Sequence, residues 1–167
     1  MKKFILGVLL FFSLVGCNDN EKYISSKNIV EKKQIIYKIG DKTPYTGVVK
    51  YFYKNGNVQG EENYKDGVLD GTSLIYYENG SLDSESNFKN GKANGILKTF
   101  YKNGNVELEQ NYKNGELYKV SKLYFENGNL RFEQNFKNEK LDGVSRIFDM
   151  NGNIKDEEIY IDGILQN

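Results

Sequence analysis

Histidine and tryptophan are absent from this 167-residue chain, and there is one cysteine, Cys17, and one proline, Pro44. Without an imidazole no Ser-His-Asp or Cys-His catalytic arrangement can be built, nor a His-ligated zinc site. A single cysteine excludes an internal disulfide, a CxxC redox pair and a four-cysteine metal knuckle. Charge has no bias either, with 23 Lys and Arg against 23 Asp and Glu. The basic excess that phosphate-backbone binding requires is missing, so nucleic acid is not an expected partner. No motif for a nucleophile, base, metal site or phosphate cradle is present, so the expectation is a protein that is not an enzyme and uses no cofactor or metal. What the chain does have is 13 Tyr and 10 Phe within a hydrophobic share of only 38%. Such a composition predicts a thin, aromatic core.

Residues 1–16 read as an export signal. Met1-Lys2-Lys3 is basic, and Phe4 to Val15 is apolar apart from Gly7 and Ser13. Twelve residues reach about 18 Å as a helix, too short for a hydrocarbon core of about 30 Å. The closing Leu14-Val15-Gly16-Cys17 resembles the lipobox of bacterial lipoproteins. That resemblance implies lipidation of Cys17, which becomes the new N-terminus, and membrane attachment through a lipid anchor at the cell membrane or outer membrane. Residues 17–34 are polar, without helical period or alternation, and read as a tether.

One period dominates the rest. Asn-Gly recurs every 24 residues, at Asn55-Gly56, Asn79-Gly80, Asn103-Gly104, Asn127-Gly128 and Asn151-Gly152. A second column runs Gly67, Gly91, Gly115, Glu139, Gly163, and a third runs Gly47, Gly71, Gly95, Lys119, Gly143. Thirteen of the 17 glycines fall in these columns, so glycine here marks a repeat rather than diffuse flexibility. The units are 47–70, 71–94, 95–118, 119–142 and 143–166, preceded by a partial repeat or cap over 35–46.

Aromatic columns begin at Phe52 and Tyr64 and an aliphatic one at Val58, in runs of about eight residues between turn signals. These are strands, and Asn-Gly between them predicts a hairpin with a type I′ turn. Two registers fit. A two-residue turn at Asn55-Gly56 pairs Lys50 with Glu61 and puts Phe52 and Tyr64 on opposite faces. A three-residue loop, Lys54-Asn55-Gly56 with Gly56 left-handed, sets Phe52 opposite Val58, gathers the apolar columns on one face and makes Lys50 and Glu61 diagonal neighbours.

Glu61, Glu85, Glu109, Glu133 and Glu157 form an acidic column, opposed in the first register by Lys50, Leu74, Lys98, Lys122 and Arg146. Members about 10 Å apart are too distant to share one ion, so the column reads as register-setting cross-strand pairs. The columns from Phe52 and Tyr64 read as core. Tyr53, Tyr77, Tyr101 and Phe125, a column that ends in Asp149, are the candidate interaction surface. Tyr118 joins them, because it stands where other units carry Asp70, Asn94 and Asp142.

The recurring pattern, with its opening Pro44-Tyr45-Thr46-Gly47, resembles the MORN repeat in its bacterial variant, sometimes described as YwqK-type antitoxins. Where the eukaryotic form has Tyr-x-Gly-x-aromatic, this chain has Glu-x-Asn-aromatic, as in Glu61-Glu62-Asn63-Tyr64. The resemblance implies an all-β fold, an elongated single-layer antiparallel sheet of hairpins. The functional expectation is a non-enzymatic, lipid-anchored scaffold of the bacterial envelope that contacts a protein partner. An antitoxin or immunity protein, or a binder of phospholipid or glycan through exposed aromatics, are the alternatives.

Overall fold

The computed structural model describes residues 23–166. Three short elements come first: β1 (Tyr23–Ser25), a single 3-10 turn (Ser26–Asn28), and the hairpin of β2 (Ile29–Lys32) and β3 (Ile35–Lys38). Then follow β4 (Gly47–Phe52), β5 (Val58–Lys65), β6 (Val68–Tyr76), β7 (Leu82–Lys89), β8 (Lys92–Ala93), β9 (Gly95–Phe100), β10 (Val106–Lys113), β11 (Glu116–Tyr124), β12 (Leu130–Lys137), β13 (Lys140–Phe148), β14 (Ile154–Ile161) and β15 (Ile164–Leu165). The sheet from β4 onward is antiparallel and follows chain order, with each strand pairing its sequence neighbour; β8 and β9 both pair with β7. β1 adds to the edge of β4 in parallel.

Two kinds of turn alternate along this meander. At Asn55-Gly56 the Tyr53 carbonyl accepts from Gly56 N at 3.0 Å, and Tyr53 N donates to the Asn57 carbonyl at 2.9 Å. Gly56 is left-handed at φ +91°, whereas Asn55 is not among the residues of positive φ. This is the three-residue loop with a left-handed glycine, and the same bonds recur at Gly80, Gly104, Gly128 and Gly152. The type I′ turns instead join one hairpin to the next: Lys65 pairs with Val68 across Asp66 (φ +50°) and Gly67 (φ +79°). The expectation of a type I′ turn at Asn55-Gly56 is therefore corrected. Three loop residues need only one positive φ, and Asn55 instead accepts from Asn57 N at 2.9 Å through its side chain.

The register combines features of both candidates. Phe52 pairs with Val58, as the three-residue loop demands, yet Tyr51 pairs with Gly60 and Lys50 with Glu61. Gln59 is the extra residue of a bulge and switches the pleat back. Asp83, Glu107, Arg131 and Lys155 are the same extra residue in the later hairpins. Pleat alternation then separates the aromatic columns: Phe52 shares a face with Lys50 and Glu61, the ionic face, while Tyr51 and Tyr64 share the other, the tyrosine face.

A second bulge falls late in each unit. Glu62 pairs with Ser73 but Tyr64 with Leu69, leaving Asn63 facing the extra residues of β6. Asn63 Nδ2 donates to the Thr72 carbonyl at 2.7 Å, and Asn111 and Asn135 repeat the bond to Val120 and Val144. Gly71 sits in this bulge at φ +118°, where a Cβ would lie 3.0 Å from Asn63 Cβ. A Cβ on Gly95 or Gly143 would likewise lie 3.1 or 3.2 Å from Asn87 or Asn135 Cβ, so glycine at these three positions makes room for the asparagine.

Two expectations are corrected here. Residues 23–34, assigned to a tether, form β1, the 3-10 turn and β2; residues 17–22 lie outside the described ones. The hairpin β2–β3 docks through Ile36 N on the Gly67 carbonyl at 2.9 Å and Tyr45 N on the Ile36 carbonyl at 2.9 Å. The aromatic columns also do not share a core. Ile36 and Val49 are the only buried apolar side chains among the described residues, and Phe52 is 38% exposed. A single layer has no interior, so each column is a half-buried ladder on its own face.

Candidate interaction surface

Among the described residues, successive units are bonded at the loop end of their strands and, except between the third and fourth, at the opposite end as well. At the loop end the Tyr53, Tyr77 and Tyr101 hydroxyls donate to the carbonyls of Tyr76, Phe100 and Tyr124 at 2.6, 2.6 and 2.7 Å. Loss of water around the Tyr77 and Tyr101 phenols pushes both pKa values up. Asparagines add to this end, with Asn57 and Asn105 Nδ2 donating to the carbonyls of Glu78 and Glu126 at 2.8 and 2.7 Å. At the opposite end Gly91 N donates to the Leu69 carbonyl and Gly115 N to that of Ala93, both at 2.7 Å. Beside them Asp70 accepts from Asn90 N at 3.1 Å and from Lys89 Nζ at 3.3 Å, and these bonds, the backbone one first, hold its carboxyl below the usual range.

The candidate column of Tyr53, Tyr77, Tyr101 and Phe125 is therefore a row of inter-unit struts, half-buried, with the three hydroxyls already engaged. Phe125 breaks the row: it has no hydroxyl to offer Phe148, and the Arg131 guanidinium lies over its ring at 5.5 Å and over Phe132 at 5.3 Å. Tyr118 is far from this row, at the other end of the strands. With Tyr118 in place of an Asp or Asn, Asn138 N has no side-chain acceptor equivalent to Asp70, and among the described residues Glu139 N makes no bond like that of Gly91. Lys119 and Glu139 hold left-handed backbone, φ +64° and +61°, where other units place glycine. Cys17 lies outside the described residues. The ten loop residues from Asn55 to Gly152 occupy the loop tips and are exposed.

On the ionic face the acidic column forms a row across the sheet. Lys50 meets Glu61 at 2.9 Å, Lys98 meets Glu109 at 3.3 Å, Lys122 meets Glu133 at 3.4 Å, and Arg146 bridges Glu133 and Glu157 at 3.5 and 2.6 Å. Leu74 is the gap. On the tyrosine face, Tyr51 and Tyr64 both donate to Glu62 Oε2, at 2.7 and 2.6 Å. Desolvation first, then this carboxylate, pushes Tyr51 up to about 12, and Tyr64 is raised as well. No group of three acidic, His or Cys side chains is placed to hold a metal among the described residues. None of their helices is long and apolar enough to cross a membrane.

Equal hairpins laid side by side in one layer, each bonded only to its neighbours, define a β-repeat scaffold or interaction protein. The family model described as a MORN repeat variant matches residues 45–66, 69–90, 93–114 and 117–138. These matches cover more than half of the chain, which belongs to that family. A comparison with individual curated proteins finds no match. The fifth hairpin, β13–β14, repeats the loop bonds but carries Asp149 for the strut tyrosine and Ile159 for the bulge asparagine.

The strut role and the part played by Arg131 were not visible in column identities read one at a time. A signal for Arg131 does exist in the sequence: its column reads Gln59, Asp83, Glu107, Arg131, Lys155, a reversal of charge sign along the chain.

Proposed function

We propose that the protein is a non-enzymatic scaffold of the bacterial envelope, anchored by lipid at Cys17, whose sheet docks another protein. The observation that carries the reading is the single-layer repeat. Rows of aromatic, ionic and amide side chains recur about every 10 Å on two open faces, the type of extended surface on which repeat proteins bind macromolecules. The Leu14-Val15-Gly16-Cys17 ending supports the anchor. With β1 starting at Tyr23, the chain between it and Cys17 spans at most about 20 Å. Anchoring would thus hold the β1 edge close to the lipid and leave the β14 edge facing outward.

Crosslinking in intact envelopes tests the reading. A defined protein partner should be recovered with the anchored chain, and its yield should fall when Cys17→Ala releases the chain from membranes. Failure to recover any partner with the anchor intact would overturn the scaffold reading.

A further inference from the structure

The repeat supplies its own control, because the same eight columns meet at every joint between units. Between the second and third units they hold Tyr77, Asp83, Ser84, Thr99, Phe100, Tyr101, Lys102 and Glu107. Between the fourth and fifth they hold Phe125, Arg131, Phe132, Ile147, Phe148, Asp149, Met150 and Lys155, and here they line a cleft of about 380 Å³. Two acids have become two cations, and three polar side chains have become phenylalanine or isoleucine. Only at this joint do both bulge positions carry cations; the apolar side chains are shared, since Leu108 and Leu123 stand in the Phe132 and Ile147 columns between the third and fourth units.

The local chemistry follows from the changes. The Arg131 guanidinium lies over the rings of Phe125 and Phe132, and a guanidinium held against an aromatic ring keeps N–H donors available for a carboxylate. Among the described residues neither Arg131 nor Lys155 forms an ion pair. The one carboxylate lining the cleft, Asp149, is engaged by its own loop: Oδ1 accepts from Asn151 N and Asn153 N at 2.9 Å, and Oδ2 from Asn153 Nδ2 at 3.1 Å. Met150 is 60% exposed at the rim.

We propose that this cleft is the docking site for an acidic, aromatic-bearing peptide segment of the partner protein, its carboxylate paired with Arg131 and Lys155 and its apolar side chain seated on Phe125, Phe132 and Ile147. Charge complementarity selects the occupant. Two cations beside the ionised Asp149 leave one net positive charge, which suits one carboxylate, whereas an anionic membrane surface is recognised by clusters of about four to eight basic residues. The cleft has room for one or two side chains, not for an extended chain of lipid. The inference rests on the scaffold reading and names the chemistry of its partner.

The test uses the full chain carrying Cys17→Ala and a fluorescein-labelled hexapeptide alternating glutamate with phenylalanine, with a lysine-for-glutamate version as its control. Fluorescence anisotropy should show saturable binding of the acidic peptide alone. Arg131→Glu and Lys155→Glu restore the charge sign found at Asp83 and Glu107, so the fold should survive, as an unchanged melting curve would show. Each should weaken binding about tenfold, while Lys54→Glu, an equal change of charge on a distant loop, should leave it unaltered. Equal binding by parent and variants, equal binding of both peptides, or no binding would overturn the proposal. So would flotation with phosphatidylglycerol vesicles that falls with Arg131→Glu while peptide binding does not. Failure here with a partner still crosslinked in envelopes removes the cleft and leaves the scaffold; an absent partner removes the scaffold itself.

Discussion

Replacing a strut tyrosine by phenylalanine is the cleanest perturbation of the joints, because the ring stays and only the hydroxyl leaves. Tyr53, Tyr77 and Tyr101 each donate one bond of 2.6–2.7 Å to the next unit. A typical hydrogen bond contributes about 0.5–1.5 kcal/mol net. These rings are half-exposed and water can partly replace the lost donor, so each Tyr→Phe change should cost about 0.5–1 kcal/mol. The struts are about 10 Å apart, far enough for near-additivity, which puts the triple variant about 1.5–3 kcal/mol below the parent. In a chain of this size each 1 kcal/mol lowers the melting temperature by about 2–4 °C. The reverse change, Phe125→Tyr, supplies the missing donor to the Phe148 carbonyl and should raise stability by up to about 1 kcal/mol. Urea denaturation followed by circular dichroism measures the parent and all five variants. A triple variant within about 0.3 kcal/mol of the parent at an unchanged slope would refute the strut assignment.

Three further outcomes are expected. Gly71→Ala should destabilise by about 1–3 kcal/mol, since φ +118° is a glycine conformation and the new methyl would press on Asn63, whereas Lys119→Gly should gain about 1 kcal/mol by relieving a left-handed lysine; thermal melting distinguishes the two signs. Tyr51 is raised to about 12, so between its ordinary pKa of about 10 and that value the unfolded chain binds fewer protons than the folded one. Stability is then fully present below about pH 10 and falls through the window from about 10 to 12; Tyr51→Phe should flatten that fall, and an unchanged profile would contradict the assignment. On the ionic face Arg146→Leu should lower the melting temperature in dilute buffer and do so less in 1 M salt, because Arg146 bridges Glu133 and Glu157 on an open surface.

Much of this architecture was legible because identical side chains recur at one spacing. Strands, period, and the nearness of Lys50 to Glu61 follow from columns whose chemistry is the same in four or five copies, whereas the sequence leaves open whether that pair is direct or diagonal. The misreadings arise where backbone geometry rather than side-chain identity decides. Gln59 is a bulge residue, but nothing about glutamine announces one, and its column passes from an amide through two acids to two cations. Asn55-Gly56 carries the strongest dipeptide signal for a type I′ turn, yet that turn forms at Asp66-Gly67, where strand pairing leaves two residues rather than three. The β2–β3 hairpin turns at Lys33 and Gln34, both left-handed, without the glycine or asparagine that marks such a turn. It is held instead by contacts made far along the chain, at Gly67 and Tyr45. The tyrosine column reads from the sequence as a candidate interaction surface, but its hydroxyls reach the following unit 23 residues on, a relation invisible within one repeat.

The proposed attachment of the repeat scaffold to a membrane rests on one residue, Cys17, so the intact mass and N-terminal sequence of the mature protein, purified from membranes, test it most directly. The prediction is a chain that begins at Cys17 with its sulfur joined to a lipid and its amino group acylated. A mature chain that begins elsewhere, or one with a free Cys17 thiol, would contradict it.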